Sequence, residues 1–395
     1  EDHLIGGAFF NPNPEYYKNT FLREFKAPDK LYEGFDALGD VAPEAHKRDV
    51  KLYAYYCETA HKEPRVPVIN FPQIAEVDAY GRKATRPCLL NPDYRSWTFS
   101  IFEDMIRSYD MDGILWGIER QSALMNMIDG DVPTCFCEHC RTAAARKGID
   151  AERAREGYIK FDKFLQRVRA GEIPNDGVFV TGLRIILDYP EIMHWEKMWN
   201  DAHKSLYREL SGVVKFMDPK CEFGLGMWQE INTFNPYLRA QYDFSELARY
   251  ADFVKPVLYH IPAGLRFVNF AKRWNNTIMK DLSLDETVEF LKRVMQLNEA
   301  GADELPETGF SAGYVQRQTA NLVNSMGGNV PVYPGIGVGV ANVGGKKITP
   351  DDAKAAVKAA YEGGAKGIMI SRNYSETQLD LLEAVGDALR ELGKL

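Results

Sequence analysis

Short runs rich in apolar, β-branched and aromatic residues recur along this chain, and longer stretches with helical periodicity separate them. That alternation is the signature of βα units, because a strand reaches a parallel neighbour only through a crossover of about a dozen residues or more. Seven runs read as strands: 3–10 (HLIGGAFF), 51–57 (KLYAYYC), 113–118 (GILWGI), 222–228 (EFGLGMW), 253–259 (FVKPVLY), 330–338 (VPVYPGIGV) and 366–371 (KGIMIS). Each is nearly continuously apolar, as strands covered on both faces are. Helical patterns occupy 94–109, 190–217, 284–300 behind the N-cap candidates Ser283 or Asp285, 351–363 behind Thr349-Pro350-Asp351, and 375–393 behind Ser375. With no linker, low-complexity segment or fixed-period repeat between them, the units predict one (β/α)8 TIM barrel over residues 1–395, one strand short. The eighth strand is expected within the Pro- and Tyr-rich stretch 11–35 or upstream of Glu1. An open doubly wound sheet gives the same βα signal, although no GxGxxG follows a strand here. Two long insertions, 58–92 and 120–190, leave the C-terminal ends of strands, where barrel active sites are built.

Charge narrows the partners. Lys and Arg total 48 against 56 Asp and Glu, a net charge of -8, which is a poor footprint for nucleic acid or an anionic membrane surface. A small or neutral substrate fits better. No apolar run approaches the roughly 18 residues of a membrane helix, and EDHLIGGAFF carries neither a basic n-region nor a cleavage site. The chain reads as soluble, either cytoplasmic or exported after removal of a signal, since it opens without Met.

Six cysteines are too few for a disulfide framework at this length, but they cluster. Thr134-Cys135-Phe136-Cys137-Glu138-His139-Cys140 has the spacing C-x-C-x-x-C, too tight for disulfides and suited to wrapping one metal. Zinc is the natural candidate. Cys88, on the other insertion, is the expected fourth ligand, with His139 as an alternative and three reduced, metal-free thiols as the other reading. A four-thiolate site has no open position for water, so the expected role of Zn2+ is structural. Cys57 and Cys221 read as small buried residues of strands.

Cys88, then Asn91-Pro92-Asp93-Tyr94-Arg95, then a glutamate after a strand and C-x-C-x-x-C together resemble the zinc-binding segment of the family 42 β-galactosidases. The resemblance is close over about residues 88–140 and extends elsewhere only to a barrel. It implies that 51–57 is strand three and 113–118 strand four, which puts the insertions after strands three and four and Glu119 at the acid/base position. The family has Asn directly before that glutamate, where this chain has Ile118, and its nucleophile ends strand seven, where this chain has Pro334-Gly335-Ile336-Gly337. Lys255-Pro256-Val257-Leu258-Tyr259-His260 and Ile370-Ser371-Arg372-Asn373-Tyr374-Ser375-Glu376 resemble barrel proteins described only as glycoside hydrolase-like. Related zinc-bearing β-galactosidases are commonly trimeric, which makes a homo-oligomer a further expectation of the resemblance.

Glycoside hydrolysis usually needs two carboxyl groups flanking the bond. Glu119, Glu230 and Glu58 follow strands, and Glu119 with Glu230 is the first expected pair, because neighbouring strands lie about 5 Å apart. Trp116 and Trp228 sit on the same strands and Tyr259-His260 follow the next, where aromatic faces and polar tips could receive a pyranose; a Trp within a strand also fills a barrel layer. Arg120 and Arg372 are candidates to meet a substrate carboxylate or hold Glu119 ionised, or else to partner a structural acid. His61 and Asn232 are candidate hydrogen-bonding groups.

The leading expectation is therefore a glycosidase acting on a saccharide, with structural zinc. Two alternatives stand beside it. Lys255 on strand six and the glycines of 335–339 and 363–364 fit a Schiff-base aldolase with a phosphate-binding loop. The departures at Ile118 and strand seven fit a barrel that binds saccharide without cleaving it.

Overall fold

A computed structural model describes residues 7–26, 34–57, 68–371 and 377–395. Glu58, His61 and Arg372 lie outside the described residues, as do residues 3–6 of the first expected strand. The chain divides into two compact units, one of Glu1–Arg167 with Thr181–Phe223 and the other of Val168–Val180 with Gly224–Leu395.

In the first unit β1 (Tyr53–Cys57) is followed by an antiparallel pair, β2 (Ala75–Val77) and β3 (Lys83–Pro87), and then by β4 (Gly113–Ile118), which lies parallel to β1. Tyr53 stands opposite Gly113 and Cys57 opposite Gly117. The two glycines are required by what crosses them. A Cβ on Gly113 would lie 2.4 Å from the Tyr53 ring, and one on Gly117 2.5 Å from the Tyr55 hydroxyl. The alternate residues of β4 turn the other way. Trp116 stacks on Tyr56 at 4.7 Å and meets Phe102 and Tyr207, which sit on the Pro92–Ser108 and Glu191–Met217 helices. The first of these helices begins where Pro92 follows Asn91, whose side chain accepts the Asp93 and Tyr94 amides at 2.8 and 3.4 Å.

The insertion after β4 is largely helical, with Ala123–Asp129, Glu138–Arg146, Ala151–Arg169 and Val178–Asp188. The described part of the preceding insertion holds the β2–β3 pair, which the strand reading passed over.

In the second unit β5 (Glu222–Met227), from Gly224 on, lies parallel to β6 (Phe253–Pro256), and β7 (Gly335–Gly337) lies parallel to β8 (Met369–Ser371). Parallel bridges from Val254 to Val332 and from Val257 to Gly335 join β6 to the β7 segment. The helices His260–Asn275, Leu284–Val294, Ala312–Ser325, Pro350–Glu362 and Leu379–Glu391 alternate with these strands. The structure is thus mixed α/β with parallel strand pairing.

Several boundaries move. The run 330–338 pairs regularly only over Gly335–Gly337, since Pro331 and Pro334 have no N–H to give a ladder. The last strand starts at Met369 rather than 366, and the helix expected at 284–300 ends at Val294. Ser283, not Asp285, caps that helix, in a reciprocal box with Glu286. The final helix starts at Leu379. Among the described residues of 3–10, Ala8 forms a single bridge, to Lys26, and no strand forms in 11–26, where Pro14–Tyr17 make a 3-10 turn. No described helix is long and apolar enough to cross a membrane.

Candidate functional site

The sulfur atoms of Cys88, Cys135, Cys137 and Cys140 all lie within 4.8 Å of one another. Cys88 to Cys140 and Cys88 to Cys137 are 3.5 Å, and Cys137 to Cys140 is 3.8 Å. These are far beyond a disulfide bond of about 2.05 Å. They match the edges of about 3.8 Å of a tetrahedron with metal–sulfur bonds near 2.3 Å. The donor set therefore fits one thiophilic ion, and His139 is not needed as a ligand. Local backbone bonds build the cradle. The Cys88 amide bonds the Ile74 carbonyl at 2.9 Å, and the Phe136 amide bonds the Val77 carbonyl at 2.7 Å, so the β2–β3 pair braces both ligand segments. Amides of Val77 and Cys137 point at Cys135 Sγ at 3.3 and 3.5 Å, where they favour a thiolate. Hydrogen bonds from Cys135, Cys140 and Cys88 favour the charged form of Cys137, while burial opposes charge on Cys135. Cys221 is buried and Cys57 half-buried, and neither joins the cluster.

Glu119 follows β4 on the face of Gly113 and Gly117. It is partly exposed, and its Oε1 accepts the Tyr55 hydroxyl at 3.2 Å. Its neighbour Arg120 points the opposite way and is fully buried. There it meets Glu76 of β2 and donates to the Pro87 carbonyl at 2.8 Å, one residue before Cys88. Of the roles open to Arg120 from the sequence, the one the structure displays is partner to a structural acid. Trp116, on the same side, is sealed in the ring cluster described above, which is the core-filling alternative. Strand alternation thus separates Glu119 from both of its sequence neighbours of interest.

In the second unit Trp228 is half-buried at the end of β5 and opens into a π-helical turn, Glu230–Phe234. Glu230 is 8% exposed and accepts Arg273 Nη2 at 2.5 Å. Asn232 is also buried and donates to the Met227 carbonyl at 2.9 Å, a bond that shapes the turn. Lys255 Nζ reaches the Tyr259 hydroxyl at 3.4 Å. Both side chains lie over the glycines of β7: a Cβ on Gly335 would stand 2.7 Å from Lys255 Cε, and one on Gly337 2.9 Å from Tyr259 Cβ. Gly363 similarly packs on the Gln316 carbonyl. These glycines serve close packing. His260 is buried, and burial pushes its imidazole down to about 4.

Tyr55, Glu76 and Arg273, which position these groups, were not singled out from the sequence. Glu76 is 44 residues from Arg120 and Arg273 is 43 from Glu230. Tyr55 alone had a local signal, the glycine two positions before Glu119 on the facing strand.

No family model matches the chain. No curated protein matches it either. Among solved structures it is similar to the β-galactosidase of the Antarctic haloarchaeon Halorubrum lacusprofundi, at 14% identity over 93% of this chain and 52% of that one, with a TM-score of 0.53. It is also similar to the β-galactosidase of the psychrophilic Marinomonas ef1, at 11% identity, 90% and 52% coverage and a TM-score of 0.51. The fold resembles that of these β-galactosidases. The chain spans about half the length of these β-galactosidases, and 42% of the α-L-fucosidase isoenzyme 2 from Paenibacillus thiaminolyticus, which aligns at 15% identity over 98% of this chain with a TM-score of 0.47.

Proposed function

We propose that this chain is a glycosidase, a hydrolase of O-glycosyl bonds in a saccharide substrate, built as a single (β/α)8 barrel over residues 1–395. The observation that carries the reading is Glu119, a partly exposed carboxyl beyond the end of β4, hydrogen-bonded to Tyr55 on the strand face where Gly113 and Gly117 make room for the Tyr53 and Tyr55 rings. Glu119 would protonate the departing glycosidic oxygen, with the Tyr55 hydroxyl fixing its orientation. Glu230 is the proposed second carboxylate. Trp228, Lys255 and Tyr259 are proposed to contact the sugar, together with Glu58, His61 and Arg372. Cys88, Cys135, Cys137 and Cys140 would hold Zn2+, which supplies rigidity rather than a Lewis acid at the bond.

The test is hydrolysis of a panel of chromogenic glycosides by the intact protein and by Glu119→Gln and Glu230→Gln. Loss of about 10²–10⁴ in kcat for each, with folding retained, is expected. Unchanged turnover in Glu119→Gln would sink the assignment. The charge-assisted clasp of Arg273 on Glu230 favours a second reading, a barrel that binds saccharide without cleaving it. That reading gains if no glycoside is ever hydrolysed while saccharide binding survives both substitutions.

A further inference from the structure

A cavity of about 380 Å³ opens beside the start of the His260–Asn275 helix, within the size range of small-molecule sites. Of the sugar-contact candidates read from the sequence, His260 lines it, while Glu119, Glu230, Trp228, Lys255 and Tyr259 do not. The side chain is 2% exposed, and neither ring nitrogen has a partner at hydrogen-bonding geometry, although the Asp352 main chain lies nearby. A buried imidazole whose nearest polar group, the Asp352 main chain, falls short of full hydrogen-bonding geometry is costly to keep unless something else bonds it.

The charged groups around the cavity are already answered. Glu299 accepts the Ser311 amide at 2.7 Å and hydroxyl at 3.0 Å, and Arg317 Nη2 at 2.7 Å. Asp352 caps the Pro350–Glu362 helix and pairs with Lys346 at 2.8 Å. Both helix starts at the rim thus carry a carboxylate, and each carboxylate carries a cation. An additional charge of either sign would enter without a counterion. The groups left to a ligand are a neutral imidazole with one donor and one acceptor, unused carboxylate lone pairs, and the apolar Phe310. Vicinal hydroxyls match that set, since each both gives and takes a hydrogen bond.

We infer that this cavity is a second ligand site, separate from the proposed hydrolytic one, that takes a neutral polyhydroxylated molecule the size of a single sugar ring, with His260 as its buried hydrogen-bonding anchor. The test is calorimetric titration of the full chain with glucose, galactose, xylose and glycerol, and with glucuronate and glucosamine as charged counterparts. Saturable binding of at least one neutral probe is expected, with His260→Phe and Ala355→Trp each weakening it by about tenfold or more. Ala355 is exposed on the Pro350–Glu362 helix and lines the cavity, so the indole fills the space without disturbing the core. Ala355→Trp should leave glycoside hydrolysis unchanged, so the result stands whether or not the chain proves to be a glycosidase. Absence of binding by every neutral probe, equal binding of the charged ones, or binding indifferent to Ala355→Trp would each overturn the inference.

Discussion

Two side chains show how burial without obvious reward is detected at the scale of single residues. His260 ionises in the folded chain only near pH 4, against about 6.5 when unfolded. The unfolded chain therefore binds a proton first as pH falls, and stability should decline by about 3 kcal/mol between pH 6.5 and 4 through this group. Denaturant titrations across that window should show the decline in the intact protein and a flatter profile in His260→Phe. An equal slope in both would assign the loss to other groups. Arg120 offers the complementary case. Its guanidinium and the Glu76 carboxylate are both buried, so Arg120→Ala would strip Glu76 of its close partner, leaving the Arg86 guanidinium at 3.8 Å, and should cost up to about 3–5 kcal/mol. Arg120→Ala, Glu76→Gln and the double variant, compared in a thermal or denaturant cycle, measure the coupling. Additive losses would contradict a shared pair.

At the level of elements, the β2–β3 pair and the thiol cluster behave as one brace. Chelation of the proposed Zn2+, or Cys137→Ser, should lower the melting temperature and loosen the segment 133–140 in hydrogen exchange, while Cys57→Ser and Cys221→Ser keep one metal per chain by elemental analysis. A metal content that survives Cys137→Ser would remove the four-sulfur site. The glycines of β7 make a separate claim. Gly335→Ala should cost no more than about 1 kcal/mol, because its methyl would meet the flexible end of Lys255, whose Cε stands 2.7 Å away and can swing aside. Lys255→Ala in the same background should recover most of that loss. Failure of this rescue would mean that the strain lies elsewhere.

For the whole molecule, the legible part of the sequence was what repetition encodes. The strands at 51–57, 113–118, 222–228 and 253–259 were visible because continuous apolar character marks parallel pairing covered on both sides. The pair Ala75–Val77 and Lys83–Pro87 was not, since AEV and KATRP carry little apolar signal and owe their pairing to partners far along the chain. Cys88 and Cys135–Cys140 were legible because thiol spacing is a strong signal, whereas the Arg120–Glu76 and Arg273–Glu230 contacts join residues no local pattern relates. Trp116 shows the same limit from another side. Its position on β4 was readable, but which face it took depended on the Tyr53 and Tyr55 rings claiming the other. That division makes β4 a parity code for insertions and deletions. Removing or adding one residue between Gly113 and Trp116 would send the carboxyl into the helix layer and bring the aromatic side chain out in its place. A change of two residues keeps every side chain on its own face. Descendants of this sequence should therefore tolerate length changes here only in pairs, and an odd one would erase the site while leaving the composition of the strand almost untouched.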